Sequence, residues 1–189
     1  MLEELIQWDK EFFLFLNGLG SSTWDGFWLF MTGKWSAIPL YAVLLLLSIR
    51  LLGWKGCGLL LVAVALLITT TDQLANFFKY GVERLRPCHD EQLFEMMRLV
   101  KHSCGGKFGY FSAHASNSMA LASFFSILLR EKIKWMPLAL LLWASLVAYS
   151  RIYIGVHFPG DVLTGLLVGL FFGWVYARLF IFAQDKIGV

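Results

Sequence analysis

The sequence predicts an all-α, polytopic membrane protein: a transmembrane helical bundle of about five to six spans with an N-terminal interfacial helix. Hydrophobic types make up 58% of the 189 residues, and Asp, Glu, Lys and Arg only 15%. A soluble domain averages about 45–50% apolar and about 25% charged residues. Apolar stretches of roughly 20 residues, the length that crosses a bilayer, also recur along the chain. Together these observations exclude a soluble globule and a disordered chain.

The first 34 residues are predicted to lie outside the main bundle, which is assigned to 35–189. Residues 1–20 mix large apolar side chains with acidic ones, which is typical of an amphipathic helix at the membrane surface. A short apolar stretch, 24–31, follows Ser21, Ser22 and Thr23, which offer an N-cap. Two alternatives remain for 24–52: one long broken helix, or a short re-entrant piece followed by a span.

Five apolar stretches are predicted to cross the membrane, and short-loop charge predicts their orientation. The stretches are 35–52, 57–78, 113–129, 135–154 and 162–183. Lys and Arg in short loops favour the cytoplasmic side, and they mark the turns after the first and third stretches and the C-terminal tail. The polar segment 79–110 and the loop 150–161 are therefore expected on the opposite, outer face.

Bulk charge and cysteine usage exclude several function classes. The formal net charge is only +3, and no basic cluster accompanies a soluble fold, so nucleic-acid binding is not expected. Three cysteines without a CxxC pair give no support for a zinc or thioredoxin-type site. The acidic N-terminus does not resemble a secretory signal. No metal, cofactor or obligate protein partner is inferred.

Ionisable residues near the ends of the spans are the candidate functional groups, because charge is costly there unless it is used. They fall in three places that the predicted topology puts on one membrane face. The groups are Lys79 with Arg86-Pro87, Ser112-Ala113-His114, and Ser150-Arg151 with His157 and Asp161.

The first chemical expectation is a phosphate site. Lys79, Arg86 and Arg151 are three cations that would converge on one multiply charged anion. Ser112 and the backbone N–H of Ala113 stand where the third span begins, and the N-terminus of a helix binds anions through unpaired N–H groups.

The second expectation is phosphoryl transfer through a histidine. His157 and Asp161 are four residues apart, so the carboxylate can hold one imidazole nitrogen and leave the other as a nucleophile. His114 would then donate a proton to the departing alcohol oxygen. Positioning and charge neutralisation would carry the reaction without a metal ion.

These three segments resemble the signature of the type 2 phosphatidic acid phosphatases (PAP2 family), written KxxxxxxRP, PSGH and SRxxxxxHxxxD. The first and third motifs match in full, with their spacing. The second reads Phe111-Ser112-Ala113-His114, with Phe in place of Pro and Ala in place of Gly. The resemblance covers residues of about 35–183, and Ala113 is expected to be tolerated if its backbone is already helical.

The resemblance implies a metal-independent lipid phosphatase of the bacterial inner membrane, with its site on the periplasmic face and no cofactor. By this likeness the nucleophile is His157, the orienting carboxylate is Asp161 and the acid/base is His114. The implied phosphate ligands are Lys79, Arg86, Ser112, Ala113 and Arg151. Undecaprenyl diphosphate, phosphatidylglycerophosphate, phosphatidic acid and lipid A phosphates all stay open as substrates. A lipid phosphotransferase and a non-catalytic lipid-phosphate binder or transporter are the alternatives.

Two further expectations concern the surroundings of these motifs. Cys88 and Cys104 lie sixteen residues apart in the outer segment, and an oxidising compartment would permit a disulfide between them. Asp72 and Asn76 precede Lys79 at successive turns of the second span. We expect them to be polar contacts inside the bundle rather than a support for Lys79.

Overall fold

The computed structural model describes residues 1–188 (for Lys34 the backbone alone), and this part of the chain is helical, as predicted. The six helices are α1 Leu2–Gly18, α2 Ser22–Thr32, α3 Lys34–Val82, α4 Ala113–Leu129, α5 Met136–Tyr153 and α6 Pro159–Ile187. A single 3₁₀ turn, Pro87–His89, and an isolated bridge between Leu85 and Phe108 lie in the polar segment before α4.

Helix α3 reverses direction at Gly53, so it supplies two of the predicted spans. Gly53 has φ 67° and ψ −179°, a conformation that a residue with a Cβ rarely adopts. The two arms then pack side by side, because Leu44 from the first and Leu60 from the second line one cavity and share one core. The second arm continues to Val82, four residues beyond its predicted end.

The bundle crosses the membrane five times when the two arms of α3 are counted separately. Helices α3 (from Trp35), α5 and α6 are long and apolar enough to span a bilayer. Helix α4 has 17 residues, about 25 Å at 1.5 Å per residue, and it is also apolar. Helix α2 has only 11 residues and ends at Gly33 in an extended conformation. A single long broken helix over 24–52 is therefore wrong: a short helix precedes the first span.

Glycines on one face of α6 bring its backbone against α4. A Cβ at Gly165 would lie 2.6 Å from the carbonyl oxygen of Ser112, and one at Gly173 would lie 2.5 Å from that of Ala120. Small residues at every fourth position allow this approach in membrane helices. The contact fixes the start of α4 against the start of α6, where the Ser112 N–H donates to the Asp161 carbonyl oxygen at 3.0 Å.

Helices α1 and α2 are fastened to the same end of the bundle. The side-chain amide of Asn17 donates to the carbonyl oxygens of Tyr153 at 2.9 Å, Arg98 at 3.0 Å and Ile152 at 3.2 Å. Arg98 pairs with Asp25 of α2 at 3.0 Å. The neighbouring Tyr153 and Asp25 raise the pKa of Arg98, although burial opposes them.

Helix α1 also has the character of an interfacial helix. Exposed apolar side chains follow its outer surface, and they are Leu2, Leu5, Trp8, Phe12 and Phe15. The opposite side buries Phe13 and Asn17 against the bundle. An amphipathic helix of this kind lies in the plane of the membrane surface.

A disulfide closes the polar segment between α3 and α4. Cys88 and Cys104 are bonded, with their Cα atoms 6.0 Å apart. The guanidinium of Arg86 reaches the Cys104 carbonyl oxygen at 3.5 Å, so the closed loop adjoins the predicted phosphate site. Cys57 is buried and free.

Candidate active site

All the residues predicted for the site lie at one end of the bundle. The ends of α3 and α5, the beginnings of α4 and α6 and the loops between them supply Lys79, Arg86, Ser112, Ala113, His114, Arg151, His157 and Asp161. The tight α4–α6 contact brings Ser112 to Asp161, and the short α5–α6 loop holds His157 between Arg151 and Asp161.

His157 is oriented with one ring nitrogen toward a carboxylate and the other toward a cation. Its side chain is 2% exposed. Nδ1 lies 3.5 Å from Oδ2 of Asp161, so the ring faces the carboxylate without a hydrogen bond to it. Nε2 lies 3.5 Å from Nη1 of Arg86. A guanidinium only donates, so this contact requires a lone pair on Nε2 and the proton on Nδ1.

The surroundings keep His157 neutral. Burial lowers the pKa of His157 well below its usual range, and the charges of Arg151, Arg86 and Lys79 lower it further. At neutral pH the ring therefore carries the free lone pair that a nucleophile needs.

Two arginines, the buried Arg151 and the partly buried Arg86, carry donors that suit an anion. Arg151 is 5% exposed, and its Nη1 donates to Oγ1 of Thr32 at 2.5 Å. Among the described residues nothing accepts a hydrogen bond from its buried Nε. Arg86 donates from Nε to the Phe108 carbonyl oxygen at 3.1 Å, and burial lowers its pKa against the opposing charge of Asp161. Planar guanidinium donors in this arrangement match the oxygens of a phosphate.

The beginning of α4 forms the other side of the phosphate site. Ser112 is the N-cap, and its Oγ accepts from the Ala115 N–H at 3.4 Å. Ala113 is the first helical residue, and among the described non-glycine residues Glu83 alone has a positive φ. The backbone of Ala113 is therefore already helical, which is the condition under which an alanine is expected to be tolerated there. The N–H groups of Ala113 and His114 precede the first hydrogen bonds of the helix, so they can face an anion.

His114 and Lys79 stand at the edge of the buried group. His114 is exposed to a cavity of about 240 Å³ that Thr32 and Asn117 also line. Lys79 donates from Nζ to Oδ1 of Asn76 at 3.2 Å. The expectation that Asn76 serves only packing inside the bundle is therefore wrong, because its amide holds the lysine.

The structure adds charged neighbours of the predicted site that the sequence interpretation missed. Arg84 bridges two carboxylates: Nη1 lies 2.9 Å from Oδ1 of Asp161, and Nη2 lies 2.6 Å from Oδ2 of Asp9. Arg84 lies between Lys79 and Arg86 in the first motif, and this position is the sequence feature that could have identified it as a residue of the site. Asp9 lies 75 residues away on α1, and no local pattern identifies it.

Two residues of the polar segment also adjoin the site. A Cβ at Gly109 would lie 3.0 Å from Cγ of Arg86 and 3.2 Å from Oδ2 of Asp161, so a side chain there would displace one of them. Burial lowers the pKa of Lys101, as do the nearby charges of Arg151 and Arg86. Lys101 is thus a further cation beside the predicted phosphate ligands.

The sequence profile of the PAP2 superfamily matches residues 57–185, about two thirds of the chain. The chain belongs to the PAP2 superfamily. The matched range contains all three motifs and every residue predicted for the site. As a PAP2 protein with membrane-spanning helices, it is an integral membrane phosphatase that hydrolyses phosphoric esters of lipids.

Curated PAP2 relatives match nearly the whole chain. A lipid A 4'-phosphatase of Bacteroides thetaiotaomicron is 39% identical over 93% of this chain and 78% of the relative. A lipid A 4'-phosphatase of Porphyromonas gingivalis is 32% identical over 98% of this chain and 78% of the relative. An undecaprenyl-diphosphatase of Sulfolobus acidocaldarius is 26% identical over 94% of this chain and 81% of the relative.

Solved PAP2 structures share the fold. The crystal structure of the PAP2 type phosphatidylglycerolphosphate phosphatase from Bacillus subtilis has a TM-score of 0.73 and 21% identity, and the match covers 97% of this chain and 88% of that one. Aquifex aeolicus LpxE has a TM-score of 0.64 and 24% identity, covering 89% and 93%. The five-pass bundle with its surface helices is therefore a PAP2 architecture.

Proposed function

We propose that this chain removes a phosphate from a lipid A-type glycolipid through a phosphohistidine on His157. The geometry of His157 carries the proposal. Its buried imidazole presents an unprotonated Nε2 to Arg86, and Arg151 nearby holds a buried donor without an acceptor among the described residues. A phosphate between these groups would give the cations an anion and bring phosphorus to the nucleophile.

The first step transfers the phosphoryl group to the enzyme. Nε2 of His157 attacks phosphorus, the bond from phosphorus to the ester oxygen breaks, and the electron pair stays on that oxygen. His114 supplies the proton that releases the lipid as an alcohol. Asp161 stabilises the positive charge that develops on the imidazole. Lys79, Arg86, Arg151 and the first N–H groups of α4 hold the equatorial oxygens of the phosphoryl group.

The second step returns the enzyme to its starting state. His114, now neutral, takes a proton from water as that water attacks the phosphohistidine. The bond from nitrogen to phosphorus breaks, its electron pair returns to Nε2, and inorganic phosphate leaves. His114 lies in an open cavity beside the buried histidine, and this position suits a residue that first gives a proton and then takes one.

Similarity to two lipid A 4'-phosphatases, at 39% and 32% identity over nearly the whole chain, supports a lipid A-type substrate. The cavities next to His114 also suit a lipid substrate. Tyr41 and Asn117 line both the cavity at His114 and an apolar cavity of about 420 Å³ between α3 and α4. An acyl chain could follow this route while the phosphate reaches the cations.

The disulfide supports an outer, periplasmic location for the site. Disulfides persist in oxidising compartments, and Cys88–Cys104 closes a loop that contacts Arg86. The short basic turns around Arg50 and Arg130 lie at the other end of the bundle, as expected for the cytoplasmic side of an inner membrane.

Phosphate release from defined lipids tests the proposal. Purified protein would be incubated with a chelator and a panel of phosphatidic acid, undecaprenyl diphosphate, bisphosphorylated lipid A and lipid A phosphorylated at one position only. We expect fastest release from a lipid A carrying a 4'-phosphate. His157→Gln should abolish release, whereas His102→Gln, in the exposed outer loop, should leave it unchanged.

The other outcomes separate the alternatives. Faster turnover of undecaprenyl diphosphate would replace the proposed substrate but keep the chemistry. Phosphorylation of an added lipid or sugar without free phosphate would identify a phosphotransferase. An active His157→Gln variant would overturn the phosphohistidine route.

A further inference from the structure

Helix α1 contacts the segment that carries the nucleophile and its carboxylate. Phe13 packs edge-on against Phe158, with ring centroids 5.4 Å apart. The Asp9 Oδ1 accepts a hydrogen bond from the Gly160 N–H at 2.8 Å. A Cβ at Gly160 would lie 2.8 Å from Oδ2 of Asp9, so a side chain there would displace the Asp9 carboxylate. The interfacial helix is therefore packed on the turn between His157 and Asp161.

Arg84 connects Asp9 to the catalytic carboxylate through its two terminal nitrogens. Asp161 is fully buried, and the groups that hold it are Arg84 at 2.9 Å and the Phe158 N–H at 3.0 Å. Asp9 takes the other terminal nitrogen of Arg84 at 2.6 Å. The guanidinium also lies over the Phe158 ring, 4.3 Å from its centroid. These contacts fix the plane of the guanidinium, and through it the direction of the Asp161 carboxylate.

We propose that Asp9 is a positioning residue for catalysis, which acts through Arg84 to aim Asp161 at His157. Without the Asp9 charge, Arg84 pairs with the Asp161 carboxylate alone. Arg84 can then draw Asp161 away from His157, whose Nδ1 is already 3.5 Å from Oδ2 of Asp161. The imidazole would then lose orientation and stabilisation as it becomes positively charged. The N-terminal helix thus belongs to the catalytic unit, although the sequence places it outside the main bundle. The inference rests on the proposed role of His157.

The variants test this role with charge changes of matched size. Asp9→Asn keeps the shape and the acceptor for Gly160 but removes the charge facing Arg84. Arg84→Gln removes the bridge, and the double variant removes both. Lys10→Gln is the control, because Lys10 joins α1 to Asp90 by an ion pair of 2.6 Å without touching Arg84 or Asp161.

Steady-state kinetics on the panel lipid that the wild type hydrolyses fastest give the readout. We expect Asp9→Asn to lower kcat about tenfold, the scale of a small misplacement of reacting groups, with KM and inhibition by inorganic phosphate within twofold of wild type. Lys10→Gln should stay within twofold in every parameter. In the Arg84→Gln background, the further change Asp9→Asn should cost less than twofold in kcat.

Three results would overturn the proposal. Unchanged kcat in Asp9→Asn would show that the charge has no role. An equal loss of kcat with and without Arg84 would show that the Asp9 charge acts independently of Arg84. A loss expressed in KM alone would place Asp9 in substrate binding instead. These results differ from a failure of the proposed substrate, which would appear as a different preferred lipid in the wild type.

Discussion

Adding one methyl group at Gly165 should disturb both stability and catalysis. A Cβ at Gly165 would lie 2.6 Å from the Ser112 carbonyl oxygen, and real Cβ atoms essentially never come within 3.0 Å of another heavy atom. Its other neighbours, Cβ of Ala115 at 3.1 Å and the Ser116 nitrogen at 3.3 Å, leave no direction for relief. In Gly165→Ala the two helices must therefore move apart by roughly half an ångström, at a cost of about 1–3 kcal/mol.

The same displacement reaches the site, because Ser112 begins the helix that faces the phosphate. Moving the first N–H groups of α4 away from His157 should lower kcat by about tenfold, since misplacement by about 1 Å can cost a hundredfold. Gly173→Ala makes a similar clash with Ala120 two turns farther along α6, at 2.5 Å. It should lower stability by a similar amount and kcat by less than threefold.

Thermal unfolding in detergent and steady-state phosphate release are the assays for these variants. Gly58→Ala is the matched control, because a Cβ there meets nothing within 4 Å and α3 is helical at that position. This change should stabilise the protein slightly, by up to about 1 kcal/mol. Wild-type stability and kcat in Gly165→Ala would refute the argument that backbone contact between α4 and α6 sets the site.

Three further predictions concern the loop, the nucleophile and the lysine. Replacing Cys88 and Cys104 by serine should lower the free energy of unfolding by about 3 kcal/mol, because the disulfide closes a loop with a sixteen-residue separation. Denaturation with and without reductant measures this loss. An unchanged denaturation midpoint would contradict the prediction. Because the pKa of His157 is lowered, kcat/KM corrected for substrate ionisation should not fall as the pH is lowered from 8 to about 6.5, and an acid limb centred above pH 6.5 would contradict this. Asn76→Ala should raise KM about fivefold, or about 1 kcal/mol, by releasing Lys79, with kcat little changed; an unaltered KM would show that Lys79 needs no support.

Composition and motif spacing were sufficient to predict the membrane class, the five spans and the cluster of charges at one end. These features depend on local properties: apolar runs of span length, and ionisable residues where the runs stop. The reversal at Gly53 was anticipated by a break in the pattern, although the second arm of α3 extends to Val82 and carries Lys79 within the helix.

The parts that could not be predicted depend on contacts between distant segments. Asp9 meets Arg84 across 75 residues and Gly160 across 151, so no spacing in the sequence indicates either pair. The glycines of α6 do form a regular pattern. These glycines matter because α4 packs against them, and the sequence does not specify which helix packs there. Asn76 was misjudged because a polar residue inside a span fits either packing or support for Lys79.

A trapped phosphohistidine tests the central claim most directly. Wild-type protein mixed with lipid A labelled with ³²P at the 4' position would be quenched in alkali within milliseconds, since phosphohistidine survives alkali and is lost in acid. We predict a transient label that maps by mass spectrometry to His157 and is absent from His157→Gln. Phosphate release with no labelled protein at any quench time, or a label on another residue, would contradict the account.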